Sequence, residues 1–125
     1  MPAINNKNIV VKGSPERFRD FIYIDDVVEI WLRSMMTEKV NNQAINVGTG
    51  IRTTVNSLLE QTLSLIPGCT YDIAEGTLGD QQGIYADTTK LQAMTGLSTF
   101  IDLRTGLIRF IDWARSEHRI HPSKN

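Results

Sequence analysis

The feature that most constrains the fold of this chain is the stretch of residues 9–26, which reads IVVKGSPERFRDFIYIDD. It opens with three β-branched residues, which favour an extended strand. Residues 13–15 then predict a turn, and residues 18–24 predict a second extended segment. Asp26 precedes two valines and stands three residues before Glu29, which is the spacing of a helix capping box. The stretch therefore predicts a strand, a turn, a second strand and a helix that begins after Asp26.

The middle of the chain predicts one further strand and helix in alternation. The helix after Asp26 shows an apolar stripe at helical spacing, formed by Val27, Ile30, Trp31 and Met35. Residues 44–47 predict a short strand that ends in a glycine loop, Gly48-Thr49-Gly50. Thr54 is a suitable cap for the next helix, and Pro67-Gly68 would end that helix.

The last third predicts an exposed strand at residues 71–74, because apolar and polar residues alternate there. Residues 83–86 predict a short extended piece, and Asp87 and Asp102 are placed to cap two closing helices. Residues 117–125 predict a polar tail with frayed ends. The predicted order, β-β-α-β-α-β-(β)-α-α, indicates an α/β chain that forms a single domain over residues 1–125.

Composition excludes several classes of function. With 41% apolar and 22% charged residues, the chain reads as soluble and globular. A net charge of -1 predicts neither a nucleic-acid nor a membrane-surface partner, and no apolar run approaches the roughly 18 residues of a membrane span. Cys69 is the single cysteine, which excludes a disulfide framework and favours a reducing, cytoplasmic setting.

Patterns that would carry catalysis, a cofactor or a metal are incomplete. A dinucleotide loop needs a small third residue at the helix entry, and the corresponding position after Gly48 and Gly50 is Thr53, so a turn-and-cap role is favoured. Tyr85 and Lys90 are five residues apart, which is not a Tyr-x-x-x-Lys pair on one helix face. No catalytic or cofactor-binding residue is therefore predicted. His118 and His121 lie in the polar tail, where a solvated pair is favoured over a metal site.

Arg19 allows two interpretations from its chemistry alone. A guanidinium flanked by extended backbone can hold a phosphate through two parallel hydrogen bonds. The alternative, which this chemistry alone favours, is a surface salt bridge with Asp20, Asp25 or Asp26, all of which are near in sequence.

Four sequence blocks, taken in order, resemble the extended short-chain dehydrogenase/reductase family, the NAD-dependent nucleotide-sugar epimerases and dehydratases such as UDP-glucose 4-epimerase. The blocks are IVVKG at 9–13, RDFIYIDDVV at 19–28, INVGTG at 45–50, and Gly79-Asp80 with YADTTK at 85–90. The closing residues 91–113 resemble the final helices of the family, so the similarity spans nearly the whole chain.

The resemblance implies a role for several residues. Arg19 matches the arginine that contacts the diphosphate of the nucleotide sugar, and Val10 and Val11 match the extended segment whose backbone lies beside the base. A second phosphate-binding arginine of the family falls on Thr77 here, so binding of the nucleotide-sugar diphosphate is expected to be weak. The family's catalytic Ser/Thr, its Tyr-x-x-x-Lys pair and its NAD-binding glycine loop have no counterpart in this chain.

The resemblance therefore predicts a small mixed α/β domain that corresponds to the C-terminal, substrate-binding part of such an enzyme, without its Rossmann cofactor domain. The chain would be a truncated product or an expressed piece of an isomerase or lyase of carbohydrate biosynthesis, and inactive alone. The alternative is a stand-alone binding or interaction domain that kept the fold and lost the ligand. In the family, the helix after Asp26 and residues 45–47 pack on the cofactor domain. Their exposure here predicts a homo-oligomer or a separate covering domain.

Overall fold

The computed structural model describes residues 8–77, 79 and 81–120, with only the helical backbone at 118–120. Within these residues, two strands come first, β1 (Asn8–Lys12) and β2 (Phe18–Arg19), followed by helix α1 (Ile24–Met35) and a single 3-10 turn (Glu38–Val40). The remaining elements are β3 (Thr53–Thr54), α2 (Val55–Leu65), β4 (Thr70–Ala74), α3 (Thr89–Thr95) and α4 (Leu103–Ile120). This order confirms the predicted mixed α/β fold.

Two short sheets organise the described part of the chain. Strand β1 pairs in parallel with β4, in a register that runs from Asn8 opposite Thr70 to Lys12 opposite Ala74. Strand β2 pairs antiparallel with β3, so that Arg19 lies opposite Thr53. A single parallel bridge joins Phe18 to Gly83 and brings the segment of residues 81–86 alongside β2. The predicted extended piece at 83–86 is reduced to this bridge.

Helix α1 begins three residues earlier than its sequence predicts. The N-cap position is Tyr23, which has extended backbone and no side-chain capping bond. Asp26 is buried within the first turn, where its carboxylate accepts a hydrogen bond from the backbone N–H of Ile101 at 2.9 Å. The capping-box prediction is therefore wrong. Its carboxylate instead fixes a distant backbone segment just before α4, and sequence spacing carries no sign of a contact so far along the chain.

The strand predicted at residues 44–47 is also wrong, because the described residues offer it no partner. A strand exists only if another strand satisfies its backbone N–H and C=O groups. Both sheets of the described chain have two strands, and neither includes residues 44–47. The apolar side chain of Val47 remains exposed.

The predicted caps and stops are largely confirmed. Thr54 accepts a hydrogen bond from the N–H of Ser57 at 3.1 Å, and Asp102 accepts one from the N–H of Thr105 at 2.9 Å. Helix α3 ends at Gly96, whose left-handed φ of 71° favours glycine. The N-cap of α3 is Thr88 rather than the predicted Asp87. Asp87 lies one residue before this cap, and its carboxylate accepts a hydrogen bond from the N–H of Thr89. Helix α4 continues to Ile120, so the start of the predicted polar tail is helical.

The hydrophobic core is small and lies where α2, α4 and the sheets meet. Ile66, the C-cap residue of α2, packs against Ile111 of α4. Ile9, Leu65 and Cys69 surround this pair. Other buried apolar residues are Val11, Ile30, Leu59, Leu91 and Ala114. Of the apolar residues that the sequence aligns on one face of this helix, Ile30 is buried, whereas Trp31 is 61% and Met35 82% exposed.

Two apolar surfaces remain open to solvent. The first, called the α1 stripe below, follows the outer face of α1 and consists of Ile24, Val28, Trp31, Leu32 and Met35. Their spacing is that of one helical face. The second is an apolar groove of about 800 Å³ between residues 21–24, α2 and α4, lined in part by Phe21, Leu58, Phe110 and Trp113. Ile24 belongs to both surfaces, so they adjoin.

No helix in the described residues combines the length and the apolar character that a membrane crossing requires.

The stability of this small core is expected to depend on single side chains. Leu91 of α3 has no exposed surface, and replacing a buried leucine by alanine costs about 2–5 kcal/mol. Leu91→Ala is therefore expected to lower the free energy of unfolding, measured by urea denaturation, by about that amount. The exposed Ile84, which lies outside the α1 stripe, is the control, since Ile84→Ala should change stability by less than about 0.5 kcal/mol. Equal losses for the two variants would contradict the assigned core.

Candidate functional site

Arg19 lies at the end of β2, where two segments of backbone hold its guanidinium. Its Nη1 donates to the carbonyl of Phe18 at 2.7 Å and, at a long 3.5 Å, to the carbonyl of Gln81. The side chain is half-buried, between β2 and the segment of residues 81–86. Backbone carbonyls orient a guanidinium without neutralising its charge, so this arginine keeps its full positive charge for a ligand.

The three aspartates that could pair with Arg19 have other partners among the described residues. Asp25 forms an ion pair with Arg109 at 3.3 Å, and Asp26 binds the N–H of Ile101. Asp20 is bound by the glycine loop that follows residue 47. The salt-bridge interpretation of Arg19 therefore finds no partner in the described part of the chain.

Asp20 is the most densely hydrogen-bonded side chain near the site. Its carboxylate accepts from the N–H of Thr49 at 2.9 Å, the Thr49 hydroxyl at 2.6 Å, the N–H of Gly50 at 2.9 Å and the N–H of Ala86 at 3.1 Å. Burial alone would raise the pKa of Asp20, but these bonds, led by that from the Thr49 hydroxyl, outweigh it and hold the pKa below the ordinary 3.8. Asp20 is therefore a charged anchor that joins three segments.

The glycine loop thus receives an anion that belongs to the protein itself. A Cβ atom on Gly48 would lie 2.6 Å from both the Cβ of Ala86 and Oδ2 of Asp20, so a side chain does not fit there. Gly50 has a φ of 78°, in the left-handed region that favours glycine. Because the N–H groups of Thr49 and Gly50 are directed at Asp20, the turn-and-cap interpretation agrees with the geometry and the dinucleotide-loop interpretation does not.

Val10 and Val11, the other residues predicted for binding, lie on β1 and face opposite sides of the strand. The side chain of Val10 is 60% exposed, whereas that of Val11 is 8% exposed and belongs to the core. In the described residues β1 pairs with β4 alone. One backbone edge of β1 is therefore without a strand partner, and Val11 can take part in binding only through its backbone.

Arg52 is a cation that the sequence reasoning missed. Its guanidinium lies 3.9 Å from the centroid of the Phe18 ring, which also makes a tilted contact with Tyr85 at 6.2 Å. Residue 83 lies against the same ring and has to be glycine, because a Cβ atom there would lie 2.5 Å from the ring carbons. The alternation of the β2–β3 pair places Arg52 on the face of Phe18, opposite that of Arg19. The sequence signal for this contact is an arginine placed diagonally opposite an aromatic residue in a pair of antiparallel strands, a position from which a cation can stack on the ring.

The other residues singled out in the sequence either lie apart from one another or fall outside the residues that the structure describes. Asp80 and His121 lie outside the described residues, as does the side chain of His118. Lys90 donates to the carbonyl of Ala44 at 2.8 Å, away from the Tyr85 contact with Phe18. Across residues 8–77, 79 and 81–120, no cluster of three or more potential ligands is arranged to hold a metal ion.

Comparison with known proteins gives consistent results. No protein-family profile matches the chain. A protein of Methanocaldococcus jannaschii provisionally named UDP-glucose 4-epimerase is 28% identical over 119 residues, which are 93% of this chain and 37% of that protein. Among solved structures, the UDP-glucose 4-epimerase of Thermotoga maritima with UDP-glucose superposes with a TM-score of 0.81 at 27% identity, over 93% of this chain and 37% of that one. The predicted family resemblance is confirmed.

The fold is that of the C-terminal portion of an extended short-chain dehydrogenase/reductase. TunA, an NAD-dependent NDP-hexosamine 5,6-dehydratase involved in tunicamycin biosynthesis, shares this fold with a TM-score of 0.84 at 22% identity. The match covers 92% of this chain and 38% of TunA. The chain thus spans little more than a third of the length of these epimerases and dehydratases, and the aligned share lacks their full cofactor domain.

The lowered pKa of Asp20 predicts a specific dependence of stability on pH. Its folded-state pKa lies below 3.8, so its stabilising contribution is present above that pH and is lost as pH falls through the folded-state value. Asp20→Asn should lower the free energy of unfolding at pH 7 by about 1–3 kcal/mol. In urea denaturation at pH values from 7 to about 3, the gap between wild type and variant should narrow below pH 3.8. A gap independent of pH would contradict the anchoring role of the charged carboxylate.

Proposed function

We propose that this chain supplies the nucleotide-diphosphate-binding part of an NAD-dependent nucleotide-sugar epimerase or dehydratase. The observation that carries the proposal is the state of Arg19, whose guanidinium is held by the carbonyls of Phe18 and Gln81 and has no carboxylate partner among the described residues. A diphosphate would provide the paired anionic oxygens that a planar guanidinium binds best.

The base of the nucleotide is proposed to lie along the free edge of β1. Backbone N–H and C=O groups on an unpaired strand edge can bond the polar edge of a base, and the exposed side chain of Val10 offers it an apolar contact. Val11 would contribute its backbone. This arrangement would contact a base through backbone groups and an apolar side chain, without a charged side chain.

Binding by this chain alone is proposed to be weak. The second arginine expected from the family resemblance is replaced by Thr77, and Arg52 lies on the other face of the β2–β3 pair, stacked on Phe18. A single charge-assisted contact contributes about 1.5–3 kcal/mol, which by itself gives millimolar or weaker affinity.

Catalysis and NAD binding are proposed to require more than this chain. Tyr85 and Lys90 contact separate parts of the structure, and the donors of the glycine loop are directed at Asp20. Hydride chemistry would therefore depend on a cofactor domain that the aligned relatives possess. The presence of one free cysteine and no disulfide among the described residues is compatible with a cytoplasmic enzyme.

A second candidate function is a stand-alone interaction domain, and the α1 stripe favours it. Five exposed apolar side chains on one helical face, next to an apolar groove, form a surface that a partner would cover. The partner is either a cofactor domain or a second copy of this chain. The two functions are alternatives, because the interaction domain would keep the fold without the ligand; UDP binding that depends on Arg19 would favour the first.

Replacing Arg19 should weaken binding of a nucleotide diphosphate. By calorimetric titration with UDP, Arg19→Ala is expected to lower affinity about tenfold to a hundredfold, because one charge-assisted contact is lost. Arg104→Ala is the matched control, since Arg104 lies on α4 and donates to Ser64; its affinity should equal that of wild type. NAD, titrated in parallel, should give no saturable heat.

Equal UDP affinities for the wild type and Arg19→Ala would remove Arg19 from the site. Saturable NAD binding at micromolar concentration would show that the chain holds the cofactor without a further domain.

The exposed α1 stripe predicts self-association when no other domain covers it. Light scattering behind a sizing column should show a mass that rises with concentration, and Leu32→Lys should shift the equilibrium toward monomer, because it places a charge in the apolar contact. Ile84→Lys is the control, since Ile84 is also exposed but lies outside the stripe. A monomeric wild-type chain at high concentration would contradict association through this face.

A further inference from the structure

The two walls that hold Arg19 meet mainly at Phe18. One wall is β2 and the other is the segment of residues 81–86, which meets β2 through the N–H of Phe18 on the carbonyl of Gln82 at 3.1 Å and through the Phe18–Gly83 bridge. The Gln81 carbonyl that receives the Arg19 guanidinium belongs to this second wall. The direction of the guanidinium thus depends on how firmly residues 81–86 are held against β2.

The carboxylate of Asp20 provides the tie at the far end of this segment. It follows Arg19 directly, and its Oδ2 accepts the N–H of Ala86, the last residue of the second wall, at 3.1 Å. The same oxygen accepts the N–H of Gly50 at 2.9 Å, and the bare Gly48 lets Ala86 approach. Asp20 therefore fastens both walls and the glycine loop at one point, one peptide unit from Arg19.

The same bonds prevent Asp20 from neutralising its neighbour. A carboxylate next to an arginine in sequence would normally compete with a bound phosphate for the guanidinium. Here the oxygens of Asp20 accept hydrogen bonds from the backbone and hydroxyl of Thr49, from Gly50 and from Ala86.

We propose that Asp20 is a positioning residue for the diphosphate site. It does not touch the ligand; its carboxylate fixes the backbone from which Arg19 extends and the Gln81 carbonyl that orients the guanidinium. The inference rests on the proposed function, which assigns the diphosphate to Arg19. A purely structural carboxylate would stabilise the fold without altering the orientation of Arg19.

The test compares three variants in the full chain. Asp20→Asn keeps the shape but presents an NH₂ group to donors, and Thr49→Val removes only the hydroxyl that lies 2.6 Å from Asp20. Asp102→Asn is the matched control, because Asp102 also accepts a backbone N–H and also has a lowered pKa but caps α4. Each variant is measured by urea denaturation, by UDP titration and by the NMR signal of the Arg19 Nε–Hε group.

Positioning predicts a loss of UDP affinity of at least about fivefold in Asp20→Asn and about two- to fivefold in Thr49→Val, with Asp102→Asn within about twofold of wild type. The Arg19 Nε–Hε signal, expected to be resolved in wild type, should move toward the average arginine position in the first two variants only. If Asp20→Asn does not fold, Thr49→Val carries the same test. Unchanged affinity and an unchanged Arg19 signal in a destabilised Asp20 or Thr49 variant would overturn the proposal.

The NMR signal separates this inference from the proposed function. If wild type shows no UDP binding, the proposed function fails, whereas the response of the Arg19 signal to Asp20→Asn still decides whether Asp20 positions the guanidinium. If UDP binds and Arg19→Ala weakens it, but neither the Asp20 nor the Thr49 variant alters affinity or signal, the function stands and the positioning role falls.

Discussion

The half-buried hydrogen-bond network around Asp20 is the interaction on which the rest of the site depends. One carboxylate collects the N–H groups of Thr49, Gly50 and Ala86 and so joins the end of β2, the glycine loop and the segment before α3. Without an acceptor, these backbone N–H groups would be costly to bury. Without these donors, the carboxylate of Asp20 would be available to pair with the neighbouring Arg19. Satisfying both at one point leaves the charge of Arg19 available. Under the proposed function, this network links local stability to ligand recognition through a residue that does not contact the ligand.

Apolar side chains are divided unevenly between the core and the surface of the described residues. A few side chains such as Ile30, Leu91 and Ile111 are buried, whereas the α1 stripe and the groove beside α4 expose large apolar side chains including Trp31 and Trp113. Burial of apolar surface is the main favourable term in folding, and contiguous exposed apolar faces are the surfaces that a partner or a further domain would cover. The relatives are more than twice as long as the aligned region, which is compatible with a covering domain.

Local signals predicted most of the elements, and long-range contacts account for the errors. Thr54, Asp102 and Gly96 act where their sequence neighbours indicated, because caps and left-handed stops involve residues at most three or four apart. Asp26 and residues 44–47 were misjudged, because the partner of Asp26 is Ile101 and a strand needs a second strand that the described chain does not provide. Arg19 was proposed as a diphosphate contact through a family resemblance, since its chemistry alone favoured a salt bridge. The role of Asp20 was invisible in the sequence because its donors lie 29 to 66 residues away.

The central claim is that Arg19 binds the diphosphate while the β1 edge lies beside the base, and an NMR titration that compares UDP with uridine tests it most directly. Uridine carries the base without the diphosphate, so the two ligands separate the two halves of the site. The account predicts that UDP shifts both the Arg19 Nε–Hε signal and the backbone amides of Val10 and Val11, whereas uridine shifts only the amides. A UDP titration that leaves Arg19 unchanged, or whose shifts fall on the α1 stripe, would contradict it.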